Sequence, residues 1–312
     1  MDANLNYIDV ENNELKKKLI SIVAHDAGGA ELLSSYVIHH KDLKFIYALS
    51  GPALNIFERK FGEISNYSIL DAISKSDIIF CGTGWGSRFE LKGIMIAQSM
   101  KKKSIAFLDH WVSYRERFLL NGKVILPDEI WVGDKYAHSY ASEIFPNTQI
   151  RLIQNYFFKD LKKEYKKFII NNKDHPKEIS VLFISDNIDA VIANDSQKKK
   201  YLNFSDNEIF SYLIKNLDAL NSKVKQISIR PHPSELNAAE KYKLAISDCK
   251  IPCFIGGKVN LLEEIANNDI VVGGDSMALV VSMLCGKKTF TCIPPGGTYT
   301  LPFDEIKRIQ ND

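Results

Sequence analysis

Two prolines bracket His232 in the run QISIRPHPSE, residues 226–235. Each pyrrolidine ring locks its own φ at about −65° and restricts the residue before it, so the imidazole rides on stiff backbone. Ile227 and Ile229 alternate with Ser228 ahead of it, the pattern of a strand that stops at Pro231. Ser234 is placed to cap a helix over residues 235–246, its side-chain oxygen accepting an N–H of the first turn. Arg230, His232 and Ser234 therefore gather where a strand ends and a helix begins, the place where open α/β sheets bind ligands. A guanidinium, an imidazole and a helix N-terminus together suit a phosphate. The bland alternative is a rigid surface turn that carries a histidine.

Two further strand ends in the same half carry polar groups. Ser185, Asp186 and Asn187 follow the apolar run 179–184, and Gly273, Gly274, Asp275 and Ser276 follow 269–272. Ser276 can donate its hydroxyl to a phosphate, aided by the free N–H groups of the helix it starts. Gly274 lets a ligand approach the backbone. Asp275 reads as a helix cap or as a partner for a sugar hydroxyl. The first half repeats the arrangement. The strand 19–24 ends in His25, Asp26, Gly28 and Gly29; a second glycine loop spans 82–87; the strand 104–108 delivers Asp109, His110 and Trp111. A carboxylate at a strand end is a natural general base for a hydroxyl. Asp109 ranks first, with Asp26 second, because His110, Trp111, Tyr114, Arg115 and Arg117 around Asp109 suit a polyol. Gly28 and Gly29 would serve close approach or tight strand–helix packing, and Trp111 could equally pack between domains.

The elements that carry these loops alternate. Strands are expected at 19–24, 44–49, 77–81, 104–108, 129–132, 150–153, 179–184, 226–230, 252–255, 269–272 and 288–293. Helices fall at 31–39, 53–61, 89–100, 136–144, 207–220, 235–246, 261–267 and 277–284, with a last helix from Phe303. Strand–loop–helix repeats of this kind build doubly wound parallel sheets. The 312 residues suffice for two domains. The expected division is 1–158, a lysine-rich linker at 159–178, and 179–312, giving an α/β protein of two facing Rossmann-like domains with an interdomain cleft. Residues 1–14 read as a loose arm or a short helix and 194–203 as an exposed loop.

Composition narrows the class. A hydrophobic share of 45%, a charged share of 25% and a net charge of +2 describe a globular protein rather than a general nucleic-acid binder. The lysine runs 16–18, 101–103 and 198–200 read as solvated faces, with weak association to a membrane surface as the minority reading. Cys81, Cys249, Cys253, Cys285 and Cys292 form no CxxC pair and have no histidine nearby to complete a zinc site. With no signal peptide and no apolar run of about 20 residues, a cytoplasmic location is expected, extending to the inner face of a membrane. No metal or other cofactor is expected, since no DxD pair is present and positive charge with helix N-termini can hold a phosphate.

Arg230-Pro-His-Pro233 and the later Gly273-Gly-Asp-Ser276 resemble the HP motif and following serine motif of bacterial sialyltransferases and capsule glycosyltransferases of the GT-B type. The resemblance implies an acceptor half followed by a nucleotide-sugar half. It implies a glycosyltransferase using a nucleotide-activated donor, a CMP-activated nonulosonate among the choices, and a glycan or lipid-linked acceptor. His232 and Ser276, with Arg230 and Ser185, would meet the donor phosphate, and an N-terminal aspartate would be the base. The sequence departs from the pattern twice. The family's acidic motif is replaced by His25-Asp-Ala-Gly28 and Asp109-His-Trp111, and its paired serine or threonine by Asp275-Ser276. An epimerase or hydrolase on the same scaffold, or a non-catalytic nucleotide-sugar-binding protein, stays open.

Overall fold

The computed structural model describes residues 15–84, 87–169, 178–189, 204–235 and 237–310. The arm at 1–14, the loop at 194–203, residues 85 and 86 of the second glycine loop and most of the expected linker's second half lie outside them. The chain divides into two compact units, Met1–Asp160 and Leu161–Asp312.

The first unit holds a parallel sheet of β1 (Leu19–Ala24), β2 (Lys44–Leu49), β3 (Ile78–Cys81), β4 (Lys103–Phe107), β7 (Glu129–Val132) and β8 (Gln149–Leu152). A small antiparallel hairpin, β5 (Leu119–Leu120) with β6 (Lys123–Val124), stands apart from it. The strand order is β2-β1-β3-β4-β7-β8, so the winding reverses between β1 and β3. The strands are short β-branched runs buried on both faces, as IIFC in β3 shows. Their core packs Ile20, Ile22, Phe80, Phe107 and Trp131 against Leu33 and Tyr36 of α1 (Ala27–His39) and Phe57 of α2 (Pro52–Phe61).

The second unit repeats the plan with β9 (Glu178–Ile184), β10 (Lys223–Arg230), β11 (Cys253–Ile255), β12 (Ile270–Gly273), β13 (Lys288–Thr291) and β14 (Ile306–Arg308). Its order, β11-β10-β9-β12-β13-β14, is that of a dinucleotide-binding sheet, and the winding reverses between β9 and β12. Val181, Phe183, Ile227, Ile229, Val272 and Phe210 form its core.

Three differences from the expected elements have clear causes. α1 begins four residues early and takes in Gly28 and Gly29, because Gly29 abuts the backbone of Gly82. The lysine-rich stretch does not start as an open linker: α7 (Tyr156–Tyr165) runs through its beginning. The expected last helix is strand β14 instead, whose Ile306 is buried and which pairs in parallel with β13 from Thr289 to Thr291. Open hydrogen-bonding positions on β13 outweigh the local helical pattern. Helix α3 (Ile69–Lys75), capped by Ser68, joins the expected set.

One latch recurs at the amino edges of both sheets. Asp77 Oδ2 accepts the N–H of Leu19 at 2.8 Å, and Asp77 N–H returns to Leu19 O at 2.7 Å. Asp128 Oδ2 accepts the N–H and hydroxyl of Ser104 at 2.7 and 2.8 Å. Asp269 Oδ2 accepts the same two groups of Ser180 at 2.7 and 2.8 Å. Each aspartate immediately precedes or begins a strand and clamps the first residues of its neighbour, which fixes the register of β1 to β3, β4 to β7 and β9 to β12. Charge-assisted bonds of this kind are each worth about 1.5–3 kcal/mol. An Asp269→Ala variant is expected to lose about 2 kcal/mol of stability in urea denaturation; an unchanged midpoint would refute the role of the latch.

Candidate functional site

In each sheet the polar side chains collect at the carboxyl edge, at and beside the point where the winding reverses. In the first unit β1 delivers His25 and Asp26, with Nδ1 and Oδ1 2.7 Å apart. A carboxylate there selects the Nδ1–H tautomer and leaves Nε2 as the acceptor. Gly51 lies against this ring at φ +53°, and a methyl group on it would come within 2.6 Å of His25 Nε2. Glycine is therefore required at 51 for both conformation and space. Behind the pair stands Glu90, in the first turn of α4 (Phe89–Ser99). Its Oε1 accepts the N–H of His25 at 2.7 Å and that of Asp26 at 3.4 Å. Its Oε2 is buried and has no hydrogen-bond partner. Burial raises the Glu90 carboxyl above its ordinary value, against the pull of the His25 N–H.

Asp109 follows β4. Its Oδ1 accepts from Arg117 Nη1 at 2.7 Å and from Thr83 Oγ1 at 3.1 Å. The same Arg117 nitrogen donates to Thr83 O at 3.0 Å, so a buried guanidinium ties the β3 loop to the β4 loop. Asp109 Oδ2 faces Gly28, where a methyl group would lie only 2.0 Å away. His25, Asp26, Gly28, Gly29 and Asp109 are thus brought to one edge. Its neighbours divide. His110 accepts the Trp111 N–H through Nδ1 at 3.0 Å. Trp111 is buried within the first unit, its Nε1 donating to Asp134 Oδ2 at 2.9 Å. Asp134 in turn caps α6 (Lys135–Ile144) through Tyr136 and Ala137. Arg115 is exposed on the short helix α5 (Tyr114–Arg117).

In the second unit the β9 turn binds the loops on both sides of it. Toward β10, Asn187 Nδ2 donates to Ser234 Oγ at 2.7 Å and Ser185 Oγ donates to Glu235 Oε1 at 3.0 Å. Toward β12, Asp186 Oδ2 accepts the N–H of Asp275 at 2.9 Å, and a methyl group on Gly274 would lie 2.4 Å from the same oxygen. His232 is exposed, and its Nδ1 accepts the Ser234 N–H at 3.2 Å with the Ser234 hydroxyl at 2.7 Å. An Nδ1 that accepts an amide N–H carries no proton, so the neutral ring holds its proton on Nε2. Glu235 Oε2 accepts the His232 N–H at 2.7 Å and fixes the turn. Below, Lys241 bridges Glu235 and the buried Asp206, and Asp206 accepts the N–H groups of Asp186 and Ile188.

Ser276 caps α11 (Met277–Leu284) by accepting the Ala278 N–H at 3.3 Å. Asp275 caps nothing: it clamps Thr300 through its N–H at 3.1 Å and hydroxyl at 2.7 Å. Ser234 does not cap the following helix, which begins only at Ala238, because its hydroxyl lies against His232. Arg230 directs Nη1 to Glu264 Oε2 at 2.6 Å and to Val259 O at 2.9 Å, holding the loop after β11. Burial pushes the Asp186 carboxyl up to about 7, against the Asp275 N–H. Among the described residues no three His, Cys, Asp or Glu side chains are grouped to hold a metal ion.

No family model and no curated protein matches the chain. Solved structures do. UDP-GlcNAc 2-epimerase from Methanocaldococcus jannaschii is 11% identical over 88% of this chain and 83% of its own, with a TM-score of 0.54. MurG from Acinetobacter baumannii is 9% identical over 90% and 80%, with a TM-score of 0.52. The glycosyltransferase of kitacinnamycin is 12% identical over 88% and 80%, with a TM-score of 0.50. The chain has the GT-B fold. Both of its Rossmann-like units were expected from the alternation of elements, and the likeness at these identities speaks to the fold.

Thr83, Glu90, Glu235 and Lys241 were given no role in the sequence, and Asp186 was read only as part of a polar strand-end turn. Glu90 reaches His25 across 65 positions and Asp186 reaches Asp275 across 89, separations that carry no local signature. Arg117 was read with Tyr114 and Arg115 as a group suited to a polyol; it instead holds the Asp109 carboxylate, eight positions away.

Two outcomes are expected. Gly28→Ala drives a methyl group into an Asp109 carboxylate that Arg117 and Thr83 hold, and should cost about 1–3 kcal/mol in urea denaturation; a wild-type midpoint would contradict the packing. Asp186 ionises from 3.8 upward in the unfolded chain and only near about 7 when folded. Its contribution is therefore complete below 3.8 and is lost as pH rises to about 7, with no further change above. The stability of wild type relative to Asp186→Asn should fall across that window, and a flat difference would place Asp186 in water.

Proposed function

We propose that the protein is a GT-B glycosyltransferase that moves a sugar from a nucleotide-activated donor to a glycan or lipid-linked acceptor in the making of a surface polysaccharide. The observation that carries this reading is the second unit's carboxyl edge. There one turn, residues 185–187, holds the His232 loop on one side and the start of helix α11 on the other. The donor phosphate sits at that winding reversal. His232 gives it the Nε2–H that the Ser234 contact selects. The Ser276 hydroxyl and the first N–H groups of α11 add positive potential. Arg230 supports the loop rather than meeting the phosphate, and Ser185 acts through Glu235. Asp275 positions the Thr300 segment, and Gly274 leaves the phosphate its approach.

The first unit takes the acceptor. The acceptor hydroxyl oxygen attacks the anomeric carbon, its proton passes to His25 Nε2, and the Asp26 carboxylate stabilises the imidazolium that forms. The bond from the anomeric carbon to the phosphate oxygen breaks, and the charge on the leaving phosphate is met by His232. Asp109 is assigned to holding Thr83 and Arg117 against Gly28, a positioning role, in preference to that of the base. Trp111 fixes Asp134, while His110 and the exposed Arg115 are left for the acceptor's outer part. The reaction is proposed to need no metal and no cofactor. A CMP-activated nonulosonate is the finer choice of donor, from the resemblance of Arg230-Pro-His-Pro233 and Ser276 to the sialyltransferase motifs. A location at the inner membrane face goes with a lipid-linked acceptor; among the described residues no helix is long and apolar enough to cross a membrane. The second reading is a nucleotide-sugar epimerase or hydrolase, favoured by the likeness to a UDP-GlcNAc 2-epimerase and by the carboxyl groups of the first unit.

A thermal-shift panel of CMP, CDP, UDP, GDP and dTDP tests the donor site. One nucleotide, at about 100 times its dissociation constant, is expected to stabilise the fold by roughly 2.7 kcal/mol. His232→Ala should lose that shift and lower turnover of the matching nucleotide-sugar by ~10²-fold. CMP as the responder supports the acidic-sugar donor, UDP an ordinary hexose. Release of free sugar or a 2-epimer without an acceptor selects the second reading. No shift with any nucleotide overturns both.

A further inference from the structure

Asp186 lies where the β9 turn meets the start of α11. Its Oδ2 accepts the Asp275 N–H at 2.9 Å, and the Ser276 hydroxyl donates to the same carboxyl, which favours the ionised form. Its Oδ1 is buried and has no hydrogen-bond partner. The groups that face it from the packed elements are acidic or neutral. Asp206, at the start of α8 (Asp206–Lys215), accepts the Asp186 N–H at 2.9 Å. Asp275 adds a second carboxylate from the loop after β12. Tyr242 of α9 (Ala238–Ser247) adds a phenol, and Cys292 after β13 adds a thiol. Lys241 of α9 is already shared by Asp206 and Glu235, with the Asp189 carboxylate 3.6 Å away. Among the described residues no ion pair reaches Asp186.

A carboxylate without a cation is an awkward neighbour for a phosphate. A phosphate that takes the Ser276 hydroxyl would bring its oxygens within about two hydrogen-bond lengths, ~6 Å, of the Asp186 carboxyl. Two negative charges so close in a poorly solvated turn repel each other. The single Ser276 proton also cannot serve both. A proton on Asp186 removes both conflicts, since it cancels the charge and frees the hydroxyl. Oδ1 is the oxygen left for it, because Oδ2 already accepts the Asp275 N–H. Burial has brought the carboxyl up to about 7, so near neutral pH that proton is readily taken. We propose that anion binding at the start of α11 is proton-linked: Asp186 takes up one proton from solvent as a phosphate binds at Ser276, and donor affinity falls as the solution becomes alkaline. No covalent bond to the ligand forms or breaks in this step. The sign follows from the free protein, where Asp186 is neutral below about 7 and ionised above it; affinity is therefore full on the acid side and lost on the alkaline side. This regulation rests on the reading of that helix start as the donor phosphate site.

Calorimetric titration of the whole protein with the nucleotide that responds in the thermal-shift panel tests it, at pH 6, 7 and 8 and in two buffers of different ionisation enthalpy. Relative to Asp186→Asn, the wild type should bind ~10-fold more weakly at pH 8 than at pH 6. It should take up close to one proton per nucleotide at pH 8 and little at pH 6. The nucleotide's own phosphate ionises near ~6 in both proteins and drops out of the comparison. An infrared difference spectrum reads the proton without any variant: binding at pH 8 should turn a carboxylate into a carboxylic acid, a change that protonation of His232 does not produce. The same pH dependence in wild type and variant, or nucleotide binding at pH 8 with no carboxylic acid formed, overturns the inference and leaves the donor site standing. Inorganic sulfate, which carries no proton in this range, is the probe should no nucleotide bind. Sulfate bound with proton uptake then removes the donor reading and keeps the linked anion site. Sulfate bound without uptake, or not bound between pH 6 and 8, overturns both.

Discussion

One half-buried ammonium holds the second unit's carboxyl-edge loops together. Lys241 Nζ lies 2.7 Å from Asp206 Oδ2 and also bonds Glu235 Oε1. Asp206 anchors the N–H groups of Asp186 and Ile188, and Glu235 anchors Ser185 and the His232 N–H. The β9 turn and the His232 loop therefore hang from the same charge. Two carboxylates taken out of water would repel each other and lose hydration; a cation between them removes both difficulties at once. The arrangement ties the backbone of the His232 turn to the β9 turn through Glu235. Preorganisation of this sort suits the charge-stabilising role proposed for His232, because little reorganisation would then oppose the reaction.

The first unit solves a similar problem with the same sign at its centre, on a different cation. There a buried guanidinium, Arg117, gathers Asp109, the hydroxyl and carbonyl of Thr83, and Val112 O. Its planar fork can serve several acceptors in different loops, which an ammonium on a flexible stem does less well. The result is that Asp109 joins the frame, while the His25–Asp26 pair stays the more accessible of the two.

The fold was legible because both sheets are built from short β-branched runs ending in glycine or polar turns, and that pattern is local. The second unit's loops were legible for the same reason: two prolines around His232 and a Gly-Gly-Asp-Ser sequence at a helix start are visible without any knowledge of contacts. What was not legible is how charges pair across loops. Arg230 looks free in the sequence and is held by Glu264, 34 positions away. Asp275 looks like a cap and serves Thr300. Glu90 carries no local mark within its helix, yet it lies beneath His25. The misread last helix has the same origin, since its pairing positions belong to β13, a strand that the residues around Phe303 do not reveal.

The latch at the amino edge has a consequence for synthesis order. In the first unit β1 is locked on its far side by Asp77, 58 positions later, so β2, β1 and β3 can pair while the ribosome is still making β4. In the second, β9 waits for Asp269, 89 positions after Ser180. Until then β9 has β10 on one side and an open edge on the other, a row of unpaired amides and carbonyls in an apolar strand. The second unit therefore emerges as the slower and stickier half of the chain, exposed until most of its length is translated, and the first unit stands finished beside it.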